Sequence, residues 1–534
     1  MVIEKETDNK DKILGEVIAG AVSSAISLKL KTDSEEVRIG YPAMVEGKKY
    51  DFFCIIADLE FPKSDAVTML ANAEKLRNTI PMQSIETARG RTFYSIAELQ
   101  CVQMIDKTTL KTYLFETLPP YFSAGRLANE KDVEIVYKTK KPETSQTIGT
   151  LRGVEGFEIP IDFEKLVEVP FGIFGRTNSG KTFLNKIILG NIIHLGISQV
   201  LVFDMQSEYG WRSKAVDSSP GLKFFFEDKV TLLGLDPKKT KDLDEILTLG
   251  EDEIYPEDLI VSLGSDLSDV MIDAIYEINQ KRSSNQTLVE AIITASLADP
   301  NPLRAGRGTL NALRQRISRL ERLDFITEKG TGNLSKLLSY IKSGQSIVID
   351  FGRYGADSFA YIFLANIISR RLYQAYSEMT EKDEYPRLVV LLEEAHKFLD
   401  PKISKKTIFD RVAREMRKFN LVLALVDQRP SKIDSEILSQ LANRFILSLT
   451  DPKDSIGALS GPVDPASWRA IVKAMPPKTV LMFGDAIKAP TAMDVLEYNE
   501  QTMNEKWEVK HTGKRLRKKL KTMSDGDLDN MFEK

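Results

Sequence analysis

The first part of the chain consists of short apolar segments separated by charged or glycine-containing turns. Segments such as ILGEVIAGAVSSAISLKL (13–30) and KKYDFFCIIADLEF (48–61) are rich in Val, Ile and Phe. This composition and length are typical of β-strands. Around residues 64–90, a stretch that begins with SDAVTMLANAEKLRN, the spacing is helical instead. We therefore predict a small β-barrel or sandwich with one helix over residues 1–150.

From about residue 165 the pattern changes to continuously apolar segments that alternate with helical ones. VPFGIF (169–174) and ISQVLVFD (197–204) enclose the helical segment TFLNKIIL (182–189). Buried strands that alternate with helices are typical of a parallel sheet covered on both faces. Residues 235–344 have mostly helical spacing, which predicts a helical insertion. The strand pattern then returns in QSIVIDFG (345–352), RLVVLLEE (387–394), LVLALVDQ (421–428), RFILSLT (444–450) and TVLMFGD (479–485).

Composition narrows the class of protein. A chain of 534 residues is too long for one compact core, and its net charge of −4 leaves room only for a local basic surface. Cys54 and Cys101 are too few for a disulfide framework or a multi-cysteine metal site, which fits a reducing compartment. No apolar stretch approaches the roughly 20 residues that span a bilayer. We expect a cytoplasmic protein with no membrane partner.

The segment GRTNSGKT (175–182) matches the P-loop pattern G-x-x-x-x-G-K-[ST] between a predicted strand and a predicted helix. Its glycines allow backbone N–H groups to turn inward around phosphates at the helix N-terminus. The lysine reaches the β- and γ-phosphates, and the threonine hydroxyl ligates Mg²⁺. We predict ATP and Mg²⁺ as cofactors, bound by Gly175, Arg176, Thr177, Asn178, Ser179, Gly180, Lys181 and Thr182.

Two adjacent glutamates end the apolar run RLVVLL. Such a pair repels and loses solvation unless a cation lies nearby. A P-loop site needs acidic groups to hold the metal and to activate the attacking water. We predict that Glu393 lies on the metal side and that Glu394 orients or deprotonates the water. The alternative is an exposed acidic turn after a core strand.

Three further polar positions are candidates for the same site. Gln428 ends the strand LVLALVD, where an amide can sense the γ-phosphate or position water. Asp204 ends the strand before QSEYGW, where it either joins the site or caps a turn. The helical segment RVAREMRKFN (411–420) presents either a solvated face or an arginine finger for a neighbouring subunit.

The order of these segments resembles the HerA branch of the HerA–FtsK P-loop ATPases. LLEEAH (391–396) is similar to the Walker B strand of that family, and AREMRKFNLVLALVDQRPSKID (413–434) is the most specific stretch. The resemblance implies that Gln428 is the sensor and that an arginine acts in trans, with Arg414 favoured over Arg417. Asn178 stands where the family usually has glycine, and asparagine tolerates the left-handed backbone that this position requires.

The resemblance implies an α/β fold, in which a RecA-like P-loop ATPase sheet with a helical insertion follows a small N-terminal β-barrel. The expected division of the chain is a barrel at 1–150, ATPase core at 151–234 with the P-loop, a helical insertion at 235–344, ATPase core at 345–500 with Walker B, sensor and finger, and a charged tail at 501–534. The block of basic residues in the tail is expected to be solvated.

The function implied by the resemblance is an ATP-dependent translocase or helicase for double-stranded DNA that works as a homo-hexamer. Its expected partner is a nuclease, NurA-like or a defence effector, docked through the N-terminal barrel. The setting would be DNA end processing or antiviral defence. Two alternatives stay open: a secretion or conjugation ATPase, and a nucleotide-dependent ring scaffold that activates a bound effector.

Overall fold

The structure is a computed structural model that describes residues 13–62, 94–139, 141–213, 218–238, 241–296, 304–378, 385–401, 408–415, 419–461 and 465–509. The helix predicted around 64–90, the candidate finger Arg417 and the tail beyond residue 509 lie outside these residues. No helix in the described ranges is long and apolar enough to cross a membrane.

A closed antiparallel barrel forms the N-terminal part of the chain. Its strands pair in the order β2-β1-β7-β3-β4-β5, β5 pairs back with β2, and β6 adds to β5. This confirms the predicted barrel. The elements are β1 (Ile13–Gly20), β2 (Ile26–Leu30), β3 (Pro42–Glu46), β4 (Tyr50–Glu60), β5 (Ile96–Asp106), β6 (Thr112–Leu114), β7 (Ala124–Leu127) and helix α1 (Glu130–Tyr137).

Strand β4 is buried on both faces. Phe52 and Ile56 belong to the apolar cluster inside the barrel, whereas Phe53 and Ile55 belong to the large cluster that continues into the rest of the molecule. Successive side chains of a strand point to opposite faces, so one strand serves both cores. This explains why its sequence is continuously apolar.

The two cysteines lie opposite each other on β4 and β5. Cys54 pairs with Cys101 in the strand register, and the two form a disulfide inside the barrel. A single cross-strand bridge is not the framework that the cysteine count excluded, but it differs from what the predicted reducing compartment favours. The pairing depends on strand register, which the separation of 47 residues does not reveal.

An eleven-stranded sheet forms the centre of the second part, in the order β14-β13-β17-β12-β18-β19-β11-β20-β21-β22-β9. Its strands from β14 to β20 are parallel, and β21, β22 and β9 add antiparallel. The strands after the barrel are β8 (Ser145–Gln146), β9 (Gly149–Leu151), β10 (Ile161–Asp162), β11 (Phe171–Phe174), β12 (Gln199–Asp204), β13 (Val230–Gly234), β14 (Glu245–Ile246), β15 (Leu249–Gly250), β16 (Ile326–Thr327), β17 (Ser346–Asp350), β18 (Leu388–Glu393), β19 (Leu421–Asp427), β20 (Asn443–Leu447), β21 (Thr479–Phe483) and β22 (Thr491–Val495).

Helices cover this sheet and fill the connections between its strands. They are α2 (Phe163–Leu166), α3 (Lys181–Leu195), α4 (Leu222–Phe225), α5 (Pro256–Leu263), α6 (Asp269–Lys281), α7 (Leu288–Thr294), α8 (Arg307–Ile317), α9 (Ser335–Lys342), α10 (Ser358–Ser377), α11 (His396–Leu399), α12 (Ile408–Glu415), α13 (Ser435–Gln440), α14 (Pro452–Leu459), α15 (Pro465–Ala474) and α16 (Glu500–Lys506). The parallel α/β sheet, the helices between β13 and β17 and the preceding barrel together confirm the predicted fold class.

The helices between β13 and β17 are anchored to the core through a buried ion pair. Arg370 of α10 donates to the fully buried carboxylate of Asp258 on α5 at 2.7 Å. Asn366 donates to the same carboxylate at 2.9 Å, and the Arg370 guanidinium lies over the ring of Tyr255. A buried charge is tolerated only when it is paired and hydrogen-bonded, as this one is.

The packed part of the chain extends at both ends beyond the expected divisions. Strand β9 pairs with β22 of the large sheet, although residues 149–151 lie at the limit assigned to the barrel. Met503 and Trp507 are buried, although both fall within the segment expected to be a charged tail. The indole Nε1 of Trp507 donates to the Asn191 side chain at 2.9 Å, which fixes this segment against α3.

Candidate nucleotide site

The P-loop lies between β11 and α3, as its motif requires. Asn178 adopts a φ of 61° and Gly180 a φ of 102°, so the loop depends on two left-handed residues. The left-handed conformation expected for Asn178 is therefore confirmed. A Cβ at position 175 would lie 2.9 Å from the Leu447 side chain, so glycine is needed there for close packing. The loop is thus held in one curled conformation.

The start of helix α3 is open to an anion. Its N-terminal backbone N–H groups receive no side-chain cap. The Lys181 ammonium donates to the carbonyl oxygens of Gly175 at 2.7 Å and Arg176 at 2.9 Å, so it lies on the loop itself. The buried hydroxyl of Ser179 has no hydrogen-bond partner among the described residues. These donors fit phosphate oxygens at a helix N-terminus.

The two glutamates at the end of β18 line the same cavity as the P-loop lysine. Neighbouring side chains of a strand normally point to opposite faces. Glu394 instead adopts a φ of 52°, which ends the strand and allows both carboxylates to line one cavity of about 710 Å³. Such backbone strain costs about 1–3 kcal/mol and is typical of functional positions. The alternative of an exposed acidic turn does not describe this geometry.

A chain of side-chain hydrogen bonds crosses the site from the P-loop to Glu394. The Thr177 hydroxyl donates to Gln428 Oε1 at 2.5 Å, and Gln428 Nε2 donates to Glu394 Oε1 at 2.8 Å. Strand β19 lies between β11 and β18 in the sheet. Because the carboxyl ends of parallel strands meet at one edge, the residue after β19 lies between the P-loop and the second glutamate.

Burial changes the protonation of the central groups. Desolvation raises the pKa of Glu393 to about 8, although its hydrogen bond with Tyr209 opposes the shift. Desolvation also lowers the pKa of Lys181, and the carboxylates of Glu394, Asp427 and Glu393 oppose that shift. The charge of Glu393 therefore favours the charged form of Lys181, and a bound cation would favour the ionised form of Glu393.

Asp204 acts as a cap. Its fully buried carboxylate accepts from the backbone N–H groups of Glu208 at 2.9 Å and Tyr209 at 2.8 Å. Burial raises the pKa of Asp204 to about 7. Of the two alternatives for this residue, the structure shows the capping one: it closes the loop that brings Tyr209 to Glu393.

Comparison with known proteins shows which proteins this chain resembles. The family model "Helicase HerA, central domain" matches residues 146–372. The DNA double-strand break repair helicase HerA of Pyrococcus furiosus is 23% identical over 393 residues, which cover 66% of this chain and 70% of the relative. The protein of that name from Sulfolobus acidocaldarius is 24% identical over 405 residues, 73% of this chain and 77% of the relative. Over most of its length the chain is therefore similar to HerA helicases.

This similarity confirms the resemblance to HerA helicases read from the motifs, and it supports an ATP-hydrolysing enzyme that binds nucleotide. Among solved structures, VirB4 of Thermoanaerobacter pseudethanolicus is 14% identical, covers 66% of this chain and 97% of that chain, and has a TM-score of 0.44. A similarity of this size carries no statement about function.

The candidate arginine Arg414 lies on helix α12, which is distinct from the elements that carry the P-loop and the glutamates. Arg414 is part of α12, and its side chain lies outside the described part of the structure, as does all of Arg417. Arg411 on the same helix is exposed. In the described part of the chain, the cations that line the cavity are Lys181, Lys397 and Lys478.

The residues present fit a magnesium ion. Thr182 and Glu393 line the cavity together, and hydroxyl and carboxylate oxygens are ligands that Mg²⁺ prefers. Mg²⁺ beside a nucleotide keeps several waters and takes phosphate oxygens, so it needs few protein ligands. Within the described ranges no group of three or more His, Cys, Asp and Glu forms a metal cluster, and a P-loop magnesium site does not need one.

The sequence analysis did not assign a role to the buried residues that hold the loops of the site in place. The fully buried Asp427 accepts from the His396 backbone N–H at 2.6 Å, from the Arg429 backbone N–H at 2.6 Å and from His396 Nδ1 at 2.9 Å. The hydrogen bond with Asp427, together with the charge of that carboxylate, raises the pKa of His396. This carboxylate joins the loop after Glu394 to the loop that carries Gln428. Its signal was available in the acidic residue that ends β19 next to the sensor.

Proposed function

We propose that this HerA-type ATPase is a motor for double-stranded DNA that works as a hexameric ring with a nuclease or defence effector. One observation carries the proposal: Lys181, Glu393, Glu394 and Gln428 surround a single cavity at the carboxyl edge of the sheet. These are the groups that bind phosphate, hold a metal, activate water and sense the γ-phosphate. The relatives named DNA double-strand break repair helicase support DNA as the substrate.

The mechanism assigns one task to each group. Lys181 leaves the P-loop carbonyls and binds the β- and γ-phosphates of ATP. Glu394 accepts a proton from the water that attacks the γ-phosphorus, while the bond to the β–γ bridging oxygen breaks. Gln428 holds Glu394 before the reaction and reports the γ-phosphate to the P-loop through Thr177. Thr182 and Glu393 would hold Mg²⁺, which neutralises phosphate charge when bound.

In the proposed ring, a neighbouring subunit supplies an additional positive charge to the site. Charge that develops on the transferred phosphoryl group is commonly stabilised by an arginine in trans. We assign this task to Arg414 first and Arg417 second, because both lie in the stretch that most resembles the family. Arg414→Ala should keep the assembly and lose hydrolysis. Mixing it with Lys181→Ala should restore some ATPase activity, since a mixed ring contains intact interfaces.

The exposed surface of the barrel supports the proposed partner contact. Leu114, Tyr121 and Phe122 are each more than 70% exposed, and the rings of Tyr121 and Phe122 lie side by side. Exposed apolar groups of this kind mark protein contacts more often than isolated surface residues do. Replacing Tyr121 and Phe122 by serine should weaken nuclease binding in size-exclusion chromatography and leave the ATPase rate unchanged.

The test of the DNA motor is the steady-state ATPase rate with and without linear double-stranded DNA. We expect stimulation that falls as salt rises, because the duplex is held through its phosphates. Glu394→Gln serves as the control for contaminating activity. A rate that ignores DNA would contradict the motor and favour the ring scaffold. A rate that responds only to lipid vesicles would favour the secretion or conjugation ATPase.

A further inference from the structure

Tyr209 connects the helix of the P-loop to the first glutamate. Its side chain is fully buried, and its hydroxyl donates to Glu393 Oε1 at 2.6 Å. The same phenolic oxygen accepts from Asn185 Nδ2 at 3.1 Å. Asn185 lies on α3 three residues after Thr182, so it belongs to the turn of helix that follows the P-loop.

The direction of these bonds is determined by Asn185. An amide N–H that points at the phenolic oxygen leaves the phenolic hydrogen free for the carboxylate alone. The Glu393 side chain is therefore held by Tyr209, while its backbone carbonyl is held by the hydroxyl of Tyr361 at 2.7 Å. A terminal carboxylate torsion is otherwise broad, so Glu393 would rotate without the tyrosine.

The acidic surroundings of Glu393 make the hydrogen bond from Tyr209 necessary. Desolvation is the largest cause of the raised pKa of Glu393, and three other acidic residues, Asp204, Glu208 and Glu394, lie close enough to repel its carboxylate. A carboxylate that is free to rotate in such surroundings would turn away from its neighbours. One oxygen fixed by Tyr209 leaves the other available at the cavity that Lys181 and Thr182 line.

We infer that Tyr209 is a positioning residue that holds Glu393 ready for Mg²⁺, with Asn185 orienting its hydroxyl. This inference rests on the proposed function, because it requires Glu393 to be on the metal side. The simpler alternative is that Tyr209 is a core tyrosine whose hydroxyl takes any polar partner. The two differ in one observable, which is the Mg²⁺ dependence of nucleotide binding.

The experiment measures binding of a fluorescent ATP analogue to the full chain, first in EDTA and then as Mg²⁺ is titrated. Tyr209→Phe should bind the analogue in EDTA as the wild type does. It should need about 10-fold more Mg²⁺ to reach half of the metal-dependent gain, because outer partners of metal ligands contribute 10–100-fold to metal affinity. Its melting temperature is measured alongside to establish that it is folded.

Tyr340→Phe is the matched control. The Tyr340 hydroxyl donates to Glu245 Oε2 at 2.7 Å, and neither residue lines the nucleotide cavity. This variant should keep the wild-type Mg²⁺ titration. If Tyr209→Phe does not fold, Asn185→Leu tests the same hydrogen bonds, and a smaller shift in the same direction is expected.

The outcomes separate this inference from the proposed function. A wild-type chain that neither binds the analogue more tightly with Mg²⁺ nor hydrolyses ATP would overturn the proposed function. A wild-type chain that does both, together with a folded Tyr209→Phe whose Mg²⁺ titration matches Tyr340→Phe, would overturn the inference alone.

Discussion

The carboxyl edge of the large sheet and the interior of the barrel bury different kinds of side chain. The sheet edge buries the carboxylates of Asp204 and Asp427 completely, and each accepts at least two hydrogen bonds. The cluster inside the barrel is made of apolar side chains and the bridged pair Cys54 and Cys101. The two regions have similar β-structure but opposite chemistry.

The difference shows where this molecule carries its reactive groups. Burying a charged group costs free energy unless hydrogen bonds offset the lost solvation. Loops at the ends of parallel strands provide free backbone N–H groups for that purpose, whereas a closed barrel uses its own backbone groups in its ladders. The sheet edge therefore accommodates acids and a lysine, and the barrel contributes packing and an outer surface.

The largest expected effect comes from the P-loop lysine. Lys181→Ala should reduce ATP hydrolysis by at least about 100-fold, because the phosphates lose their closest positive charge. The exposed Lys165 provides the matched control, since Lys165→Ala removes a lysine that does not line the cavity. Equal ATPase rates in the two variants would contradict the assignment of Lys181 to the phosphates.

The next effect concerns the buried carboxylate behind the site. Asp427→Ala leaves two backbone N–H groups and a histidine nitrogen without their acceptor, so the free energy of unfolding should fall by about 3 kcal/mol. Urea unfolding measures that loss, and the ATPase rate should fall with it because the Gln428 loop loses its anchor. Full stability in this variant would show that the sheet edge does not depend on buried acids.

The smallest effect is expected in the barrel. Phe52→Leu should lower the free energy of unfolding by about 1 kcal/mol through lost packing. The ATPase rate should equal that of the wild type, because Phe52 lies in the cluster inside the barrel and away from the cavity. A barrel variant that folds and yet loses hydrolysis would mean that the two regions are coupled more closely than their chemistry indicates.

The sequence predicted those site residues that belong to short continuous motifs. The P-loop residues stand together, and the strand ends carrying Glu393, Glu394 and Gln428 could be placed at one edge from the parallel alternation alone. Their catalytic and metal-binding tasks stay predictions until the variants are measured.

The supporting contacts could not be predicted in the same way. Tyr209 and Glu393 are separated by 184 residues, and nothing in either segment names the other. Asp427 and His396 meet only because β18 and β19 are neighbours in the sheet. The bridge between Cys54 and Cys101 likewise depends on register. Contacts between distant segments follow from strand order, and periodicity does not specify that order.

The most direct test of Glu394 as the catalytic base compares ATP binding with ATP hydrolysis in Glu394→Gln. We expect the variant to bind ATP as the wild type does, because Lys181 and the P-loop are intact. We expect hydrolysis to fall by about 100-fold or more, because the water loses its base. Hydrolysis at the wild-type rate with the same binding would contradict the placement of the reaction at the end of β18.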